Sequence, residues 1–179
     1  NINVLELKHH VWDLESTQTV KCSKAETEST QSISWRNGST GVKIKSGGRI
    51  ELNGLFLKIK NVQLDDAGTY ECRGVSSTRF YTIYVNAKFM HKTPEQTIIG
   101  GGLGIIHCSA LGNPAPQFKW IKNNRRISPN WRFTQLANGS LAVEIIGKYD
   151  SGTYTCTIKQ SRGSDSVSEK SQSINVTVI

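Results

Sequence analysis

Residues 66–72 read Asp-Ala-Gly-Thr-Tyr-Glu-Cys, and residues 150–156 repeat the pattern as Asp-Ser-Gly-Thr-Tyr-Thr-Cys. Asp and Gly favour a sharp turn, because Gly accepts backbone angles that other residues avoid. The Tyr and Cys that follow are two positions apart, so on a strand both side chains point to the same face. The pattern therefore predicts, twice, a turn that leads into a half-buried strand.

Each copy is preceded by a second Cys and a Trp. Cys22 and Trp35 come before the first copy, and Cys108 and Trp120 come before the second. The matching Cys, Trp and Cys positions are separated by 86, 85 and 84 residues. This nearly constant offset indicates an internal repeat that fills the chain.

The Cys…Trp…Tyr-x-Cys frame resembles the immunoglobulin superfamily over nearly the whole chain. The resemblance implies an all-β fold of two tandem immunoglobulin-like sandwiches, at residues 1–87 and 88–179. Gly-Asn-Pro-Ala-Pro at 112–116, followed by Trp120, resembles the I-set branch, which is used in adhesion molecules and receptor ectodomains. Arg49 before Asp66, the short link at 88–90, Arg132-Phe133 and a long hairpin before the last strand together resemble neural cell adhesion molecule-type proteins.

The resemblance also assigns the inward residues. Four cysteines allow three pairings, and the repeat selects Cys22–Cys72 and Cys108–Cys156, one inter-sheet disulfide per domain. Each bridge closes a loop of about 50 residues, which contributes roughly 4 kcal/mol in the chain-entropy model. The expected core residues are Trp35, Tyr70, Trp120 and Tyr154, and the expected corner salt bridges are Arg49–Asp66 and Arg132–Asp150.

Paired cysteines predict an oxidising, extracellular compartment. Three glycosylation sequons begin at Asn37, Asn138 and Asn175, although Asn37-Gly and Asn138-Gly are equally turn signals. The sequence shows no signal peptide and no apolar run of membrane-spanning length, which favours a mature ectodomain fragment or a small secreted protein.

The alternating strand positions predict an outward-facing surface on the first domain. If Ile83 and Val85 face the core, Phe80 and Tyr84 face outward. There they would join Arg36, Glu71 and Arg73 on the exposed sheet. Aromatic residues beside arginines are typical of the centre of a protein interface. The alternative is that one or both rings pack against the other domain or the link.

The net charge of +8 lies mostly in the second half of the chain. Residues 1–87 carry 11 basic and 9 acidic side chains, whereas residues 88–179 carry 11 basic and 5 acidic ones. Four of these cations, Lys119, Lys122, Arg125 and Arg126, lie close together in sequence. They predict a polyanion site for heparan sulfate. A solvated edge or a protein contact is the alternative, and nucleic acid is not an expected partner.

Enzyme motifs are missing from the sequence, so no catalytic residue, cofactor or metal is expected. The predicted function is cell-surface recognition or adhesion, with another cell-surface or secreted protein as the partner, including a second copy of the chain. A ligand-binding receptor ectodomain, for instance of a receptor tyrosine kinase, and a secreted immunoglobulin-domain binding protein are the alternatives.

Overall fold

The computed structural model describes residues 8–23, 32–163 and 166–179. The chain divides into two compact units, Asn1–Asn86 and Ala87–Ile179. Strands dominate both units, and short 3-10 turns at Leu64–Asp66 and Lys148–Asp150 precede the strands that carry the repeated Tyr-x-Cys. The fold class predicted from the sequence, all-β with two disulfide-bonded sandwiches, is confirmed.

The first unit is built from two antiparallel layers with one parallel edge. One sheet has the order β1-β7-β6-β3 and the other has the order β2-β5-β4. The strands are β1 (Lys8–Trp12), β2 (Gln18–Lys21), β3 (Ser34–Asn37), β4 (Ile50–Asn53), β5 (Phe56–Ile59), β6 (Gly68–Arg73) and β7 (Thr78–Phe89), the last three residues of β7 belonging to the second unit.

The second unit repeats this arrangement. One sheet has the order β12-β11-β15-β16-β8 and the other has the order β13-β14-β9. Its strands are β8 (Glu95–Ile98), β9 (Gly104–Ile106), β10 (Ala110–Asn113), β11 (Gln117–Lys122), β12 (Arg125–Arg126), β13 (Phe133–Gln135), β14 (Leu141–Val143), β15 (Gly152–Arg162) and β16 (Ser166–Val178).

In both units the first strand pairs in parallel with the last. In the first, β1 pairs in parallel with β7, and in the second, β8 pairs in parallel with β16. The strand that carries Tyr-x-Cys pairs on one side with the strand that carries Trp, so Trp35 lies opposite Cys72 and Trp120 lies opposite Cys156. Each tryptophan therefore lies directly beside a disulfide in the core.

Each unit has its own hydrophobic core. The disulfides Cys22–Cys72 and Cys108–Cys156 link the facing sheets, with Cα–Cα distances of 6.0 and 6.6 Å. Alternate residues of the strands supply the other core side chains. On β7, for example, Tyr81, Ile83 and Val85 are buried while the residues between them are half-buried. Trp12 of β1 is 4% exposed and also belongs to the first core.

Candidate recognition face of the first unit

The outer face of sheet β1-β7-β6-β3 brings together the residues that the sequence placed there. Cross-strand pairing puts Glu71 opposite Arg36 on one side and opposite Phe80 on the other. The three side chains thus form one row across β3, β6 and β7. Neighbours in such a row have Cβ atoms about 5 Å apart, so their side chains contact one another.

Glu71 faces outward as predicted but is far less exposed than the sequence indicated. The sequence placed it among exposed polar contacts, but the residue is only 5% exposed. Arg73 covers it with a two-pronged ion pair, in which Nε and Nη2 lie 2.7 and 2.6 Å from Oε1. Arg36 and Phe80 flank it in the row. The correction has a physical reason: a short carboxylate between three longer side chains is covered even on the outer face of a sheet.

Arg36 is held at the edge of this face. Its Nη1 donates a hydrogen bond to the Gly41 carbonyl at 3.1 Å. Its Nε is buried and has no hydrogen-bond partner among the described residues. A buried donor without an acceptor is costly, so this group lowers the stability of the edge.

Phe80 and Tyr84 both lie half-buried on the outer face, four residues apart on β7. Tyr84 stacks on His9 of the parallel edge strand, with ring centroids 5.7 Å apart and an interplanar angle of 12°. Val11, which is 43% exposed, lies opposite Tyr84 in the β1–β7 register. Tyr84, His9 and Val11 thus lie together on this face, and Phe80 lies on the same face beyond Thr82.

His9 and Val11 were missed by the sequence reasoning. Their places follow from parallel pairing of β1 with β7, in which His9 lies opposite Thr82. Nothing in the local sequence of β1 reveals that register. We name the outer-face residues of the first unit together as the aromatic face: His9, Val11, Arg36, Glu71, Arg73, Phe80, Thr82 and Tyr84.

His10 points to the other side of β1. Its ring lies 5.9 Å from that of Tyr81, which is buried in the core. Partial burial lowers the pKa of His10 below its ordinary value of 6.5, and the nearby Lys8 and His9 lower it further. The neutral ring is therefore the form that this edge of the first core favours.

The corners of the two units are built alike. Arg49 Nη1 lies 2.7 Å from Asp66 Oδ2, and Arg132 Nη2 lies 2.7 Å from Asp150 Oδ2. Each aspartate also accepts a backbone N–H, from Gln63 and Gly147 respectively. Among the predicted site residues, these four are therefore paired as the sequence proposed.

The corner tyrosines close the same turns. The hydroxyls of Tyr70 and Tyr154 donate to the backbone carbonyls of Asp66 and Asp150, each at 2.7 Å. Burial raises the pKa of both phenols to about 12, and the neighbouring aspartates add to the effect. Tyr154 is fully buried whereas Tyr70 is half-buried, so the first corner is the more open of the two.

The predicted polyanion cluster of the second unit is divided between two faces. Lys122 lies opposite Tyr154, and its Nζ is 5.1 Å from the centre of that ring and 3.4 Å from the Tyr149 carbonyl. Lys119 lies on the other face of β11, because the two lysines are three positions apart. Arg125 pairs with Lys122 and Arg126 pairs with Ile121. The structure offers two pairs rather than one cluster, and heparan sulfate binding stays a prediction.

The outer face of the second unit is rich in hydroxyl groups. Three cross-strand pairs line it along β15 and β16: Thr153–Asn175, Thr155–Ser173 and Thr157–Ser171. Side-chain hydrogen bonds link two of these pairs, at 3.0 Å for Thr153–Asn175 and 2.8 Å for Thr157–Ser171. Lys119 and Ile121 of β11 complete this surface, which we call the hydroxyl face.

The three sequons lie in different settings. Asn37 Oδ1 accepts the backbone N–H groups of Ser39 and Thr40 in a turn. Asn138 also lies in a turn, and the hydroxyl of Ser140, the third residue of its sequon, is buried against Cys108. Asn175 lies on strand β16. Glycosylation of Asn37 and Asn138 stays a prediction.

Neither a metal-binding group nor a membrane-spanning helix is found among the residues that the structure describes. Within residues 8–23, 32–163 and 166–179, no three His, Cys, Asp or Glu side chains form a group that could hold a metal ion. The same residues include no helix of the length and hydrophobicity needed to cross a membrane.

Family models match both halves of the chain. An immunoglobulin I-set domain model matches residues 5–80, and an immunoglobulin domain model matches residues 87–178. The chain belongs to the immunoglobulin superfamily. The predicted membership is confirmed, and the paired Trp, disulfide and tyrosine corner of each domain are the features that the family frame requires.

Curated relatives are longer proteins. Contactin-5 of Rattus norvegicus is 33% identical over 137 residues, which cover 73% of this chain and 12% of contactin-5. Tyrosine-protein kinase-like otk of Drosophila pseudoobscura pseudoobscura is 31% identical over 157 residues, which cover 80% of this chain and 15% of otk. The chain thus matches only a small part of these proteins.

Solved structures share the fold at lower identity. The insect immune protein hemolin matches with a TM-score of 0.60 and 21% identity, over 96% of this chain and 45% of the hemolin chain. A titin A168–A169 fragment matches with a TM-score of 0.61 and 20% identity, over 98% of this chain and 97% of that fragment. At these identities the likeness concerns the fold alone.

Proposed function

We propose that this chain is an extracellular, non-catalytic recognition module that binds another protein through the aromatic face of its first domain. The first partner we propose is a second copy of the chain. One observation carries the proposal: Phe80, Tyr84, His9 and Val11 share one outer sheet face, beside two arginines and a covered glutamate.

The chemistry of this face suits a protein partner. Interface centres are enriched in aromatic residues and arginine and depleted in exposed acidic groups. Arg73 neutralises Glu71, so the only carboxylate that the sequence placed on this face is already paired. A partner would therefore meet rings and arginine donors rather than an unpaired acid, and where such a residue is a hot spot its truncation costs about 2 kcal/mol or more of binding.

The relatives support an extracellular setting. The two disulfides require an oxidising compartment. Contactin-5 and the otk protein are the relatives reported above, and a Xenopus laevis relative, 29% identical over 85% of this chain, is named as cell adhesion molecule-related. The hemolin structure is described as having implications for homophilic adhesion of that protein, and we extend this idea to the present chain.

A ligand-binding receptor ectodomain is the second candidate. It is favoured by the 31% identity to a tyrosine-protein kinase-like relative. In that case the aromatic face binds a different protein, and two copies of this chain do not associate. The domain limits that we propose for either function are residues 1–87 and 88–179.

Beads coated with the disulfide-bonded chain separate these functions. We expect coated beads to cluster with one another and beads coated with Phe80→Ala/Tyr84→Ala to stay dispersed. Attachment to cultured cells without bead clustering would favour the receptor candidate, provided the double variant abolishes attachment. Clustering and attachment that the double variant leaves unchanged would overturn the aromatic face as the binding surface. Far-ultraviolet circular dichroism of each variant verifies that its fold is intact.

A further inference from the structure

We infer that Asn175 carries an N-linked glycan that covers the hydroxyl face of the second domain. The sequon is Asn175-Val176-Thr177, within strand β16. Strand alternation turns Asn175 and Thr177 outward, where both are exposed, while Val176 is 3% exposed in the core. Both functional side chains of the sequon therefore lie on the same outer surface.

The asparagine side chain is held in a defined orientation. The Thr153 hydroxyl donates a hydrogen bond to Asn175 Oδ1, at 3.0 Å. Since the oxygen is engaged, the amide nitrogen Nδ2 is the atom left facing away from Thr153. Among the described residues, Nδ2 makes no hydrogen bond. This nitrogen is the atom that carries an N-linked sugar.

Space around Asn175 favours a bulky group. Its outward neighbours along the strand are Ser173 and Thr177, and its cross-strand partners are Thr153 and Glu95. Three of these four side chains are short and hydroxylated. They leave room above the sheet, and their hydroxyls can form hydrogen bonds with sugar hydroxyls.

The covalent step uses a lipid-diphosphate-linked oligosaccharide as donor. A bond forms between Asn175 Nδ2 and C1 of the first N-acetylglucosamine, and the bond between C1 and the donor phosphate oxygen breaks. The lipid diphosphate leaves with that electron pair, and Nδ2 gives up one proton to a base of the transferring enzyme. The backbone N–H of Asn175 keeps its hydrogen bond to the Pro94 carbonyl, at 2.7 Å, since the sugar does not occupy that atom.

A glycan at this position changes which outer face is available. Because β16 lies beside β15 in the sheet, a bulky group at Asn175 extends over the rows that end in Ser173 and Ser171. Flat docking of another protein on the hydroxyl face is then blocked. The sugar would be present whether or not the first domain binds a second copy.

The test uses two single variants of the chain secreted from cultured eukaryotic cells. Thr177→Ala destroys the sequon, whereas Thr177→Ser preserves it and serves as the matched control. We expect mass spectrometry to find the Asn175 peptide glycosylated in the wild type and in Thr177→Ser, and unmodified in Thr177→Ala. An Asn175 peptide that is unmodified in the wild type would overturn the inference.

Coverage is tested with a reporter lysine. Ser173→Lys adds an amine two residues from Asn175, about 7 Å along the strand. Combined with Thr177→Ser, this amine should be acetylated several-fold more slowly than when combined with Thr177→Ala, while Lys58 of the first domain reacts equally in both proteins. Equal rates at residue 173 would show that the glycan leaves the hydroxyl face open, and would overturn that part of the inference.

Discussion

The outer faces of the two domains differ although the frames behind them match. The first domain presents Phe80, Tyr84 and His9 beside paired Arg73 and Glu71. The second presents rows of threonine and serine, with a sequon on the strand itself. The difference lies only in the residues that alternate with the core positions. Alternate positions of the same strands therefore supply the core and the outer faces through which we propose that the protein binds its partner.

The buried corner residues of the two domains have nearly the same geometry. In both domains the corner tyrosine donates to an aspartate carbonyl at 2.7 Å, and the nearest arginine–aspartate distance is 2.7 Å. Equivalent substitutions in the two domains should therefore change the free energy of unfolding by similar amounts. We expect unequal changes in the free energy of unfolding only where the substituted residues differ in burial.

Removal of a disulfide should have the largest effect. Replacing both cysteines of one pair with alanine should lower the free energy of unfolding of that domain by about 4 kcal/mol, because each bridge closes a loop of similar length. The separations are 50 residues for Cys22–Cys72 and 48 for Cys108–Cys156. Guanidinium unfolding of the two double variants checks this, and losses that differ by more than 2 kcal/mol would contradict equivalent frames.

Removal of a corner arginine should have a smaller and unequal effect. The Asp150 side chain is 4% exposed and that of Arg132 is 20% exposed, against 9% and 35% for Asp66 and Arg49. Stranding the more buried carboxylate costs more, so we expect Arg132→Ala to cost about 3 kcal/mol and Arg49→Ala about 2 kcal/mol. Urea unfolding at neutral pH measures both. A larger loss for Arg49→Ala would show that burial does not set the difference.

The corner tyrosines should make the stability of both domains fall at alkaline pH. The phenol pKa is about 12 in the folded domains against an ordinary value of 10.0. Below pH 10 both states keep the proton, and between pH 10 and 12 only the unfolded chain releases it, so stability falls as the pH rises. Tyr70→Phe and Tyr154→Phe should each cost about 1 kcal/mol at neutral pH and make the alkaline decline shallower. An unchanged alkaline slope in thermal unfolding would contradict the raised pKa.

His10 should give the smallest effect, and only in the first domain. Its pKa is lowered in the folded state, so the unfolded chain takes up the proton first as the pH falls below 6.5. The first domain should therefore lose a little stability in that range. His10→Gln should remove this share of the loss. Thermal unfolding between pH 5 and 7 measures the difference, and a wild-type acid slope in His10→Gln would disprove it.

The frame was readable from sequence because its signals are local or repeated. Asp-x-Gly-x-Tyr-x-Cys marks the corner, and the second copy selects the disulfide pairs. Alternation along β7 also gave the outward direction of Phe80 and Tyr84. These inferences need only the strand period and the repeat.

What could not be read depended on how individual side chains pack against their neighbours. Glu71 alternates outward as predicted, yet it is covered because Arg73, Arg36 and Phe80 surround it. The four cations are a second case, although heparan sulfate binding itself stays a prediction. Closeness in sequence does not mean one face, and Lys122 turns toward Tyr154 instead.

Self-association of the chain tests the central claim most directly. Sedimentation velocity over a range of concentrations should show a concentration-dependent dimer for the wild type. Phe80→Ala/Tyr84→Ala should weaken the dimer at least tenfold, about 1.4 kcal/mol, because it removes both ring anchors of the aromatic face. Lys119→Ala/Ile121→Ala, the matched change on the hydroxyl face, should leave it intact. A monomer at every concentration, or equal weakening by both double variants, would contradict the claim that the aromatic face binds a second copy.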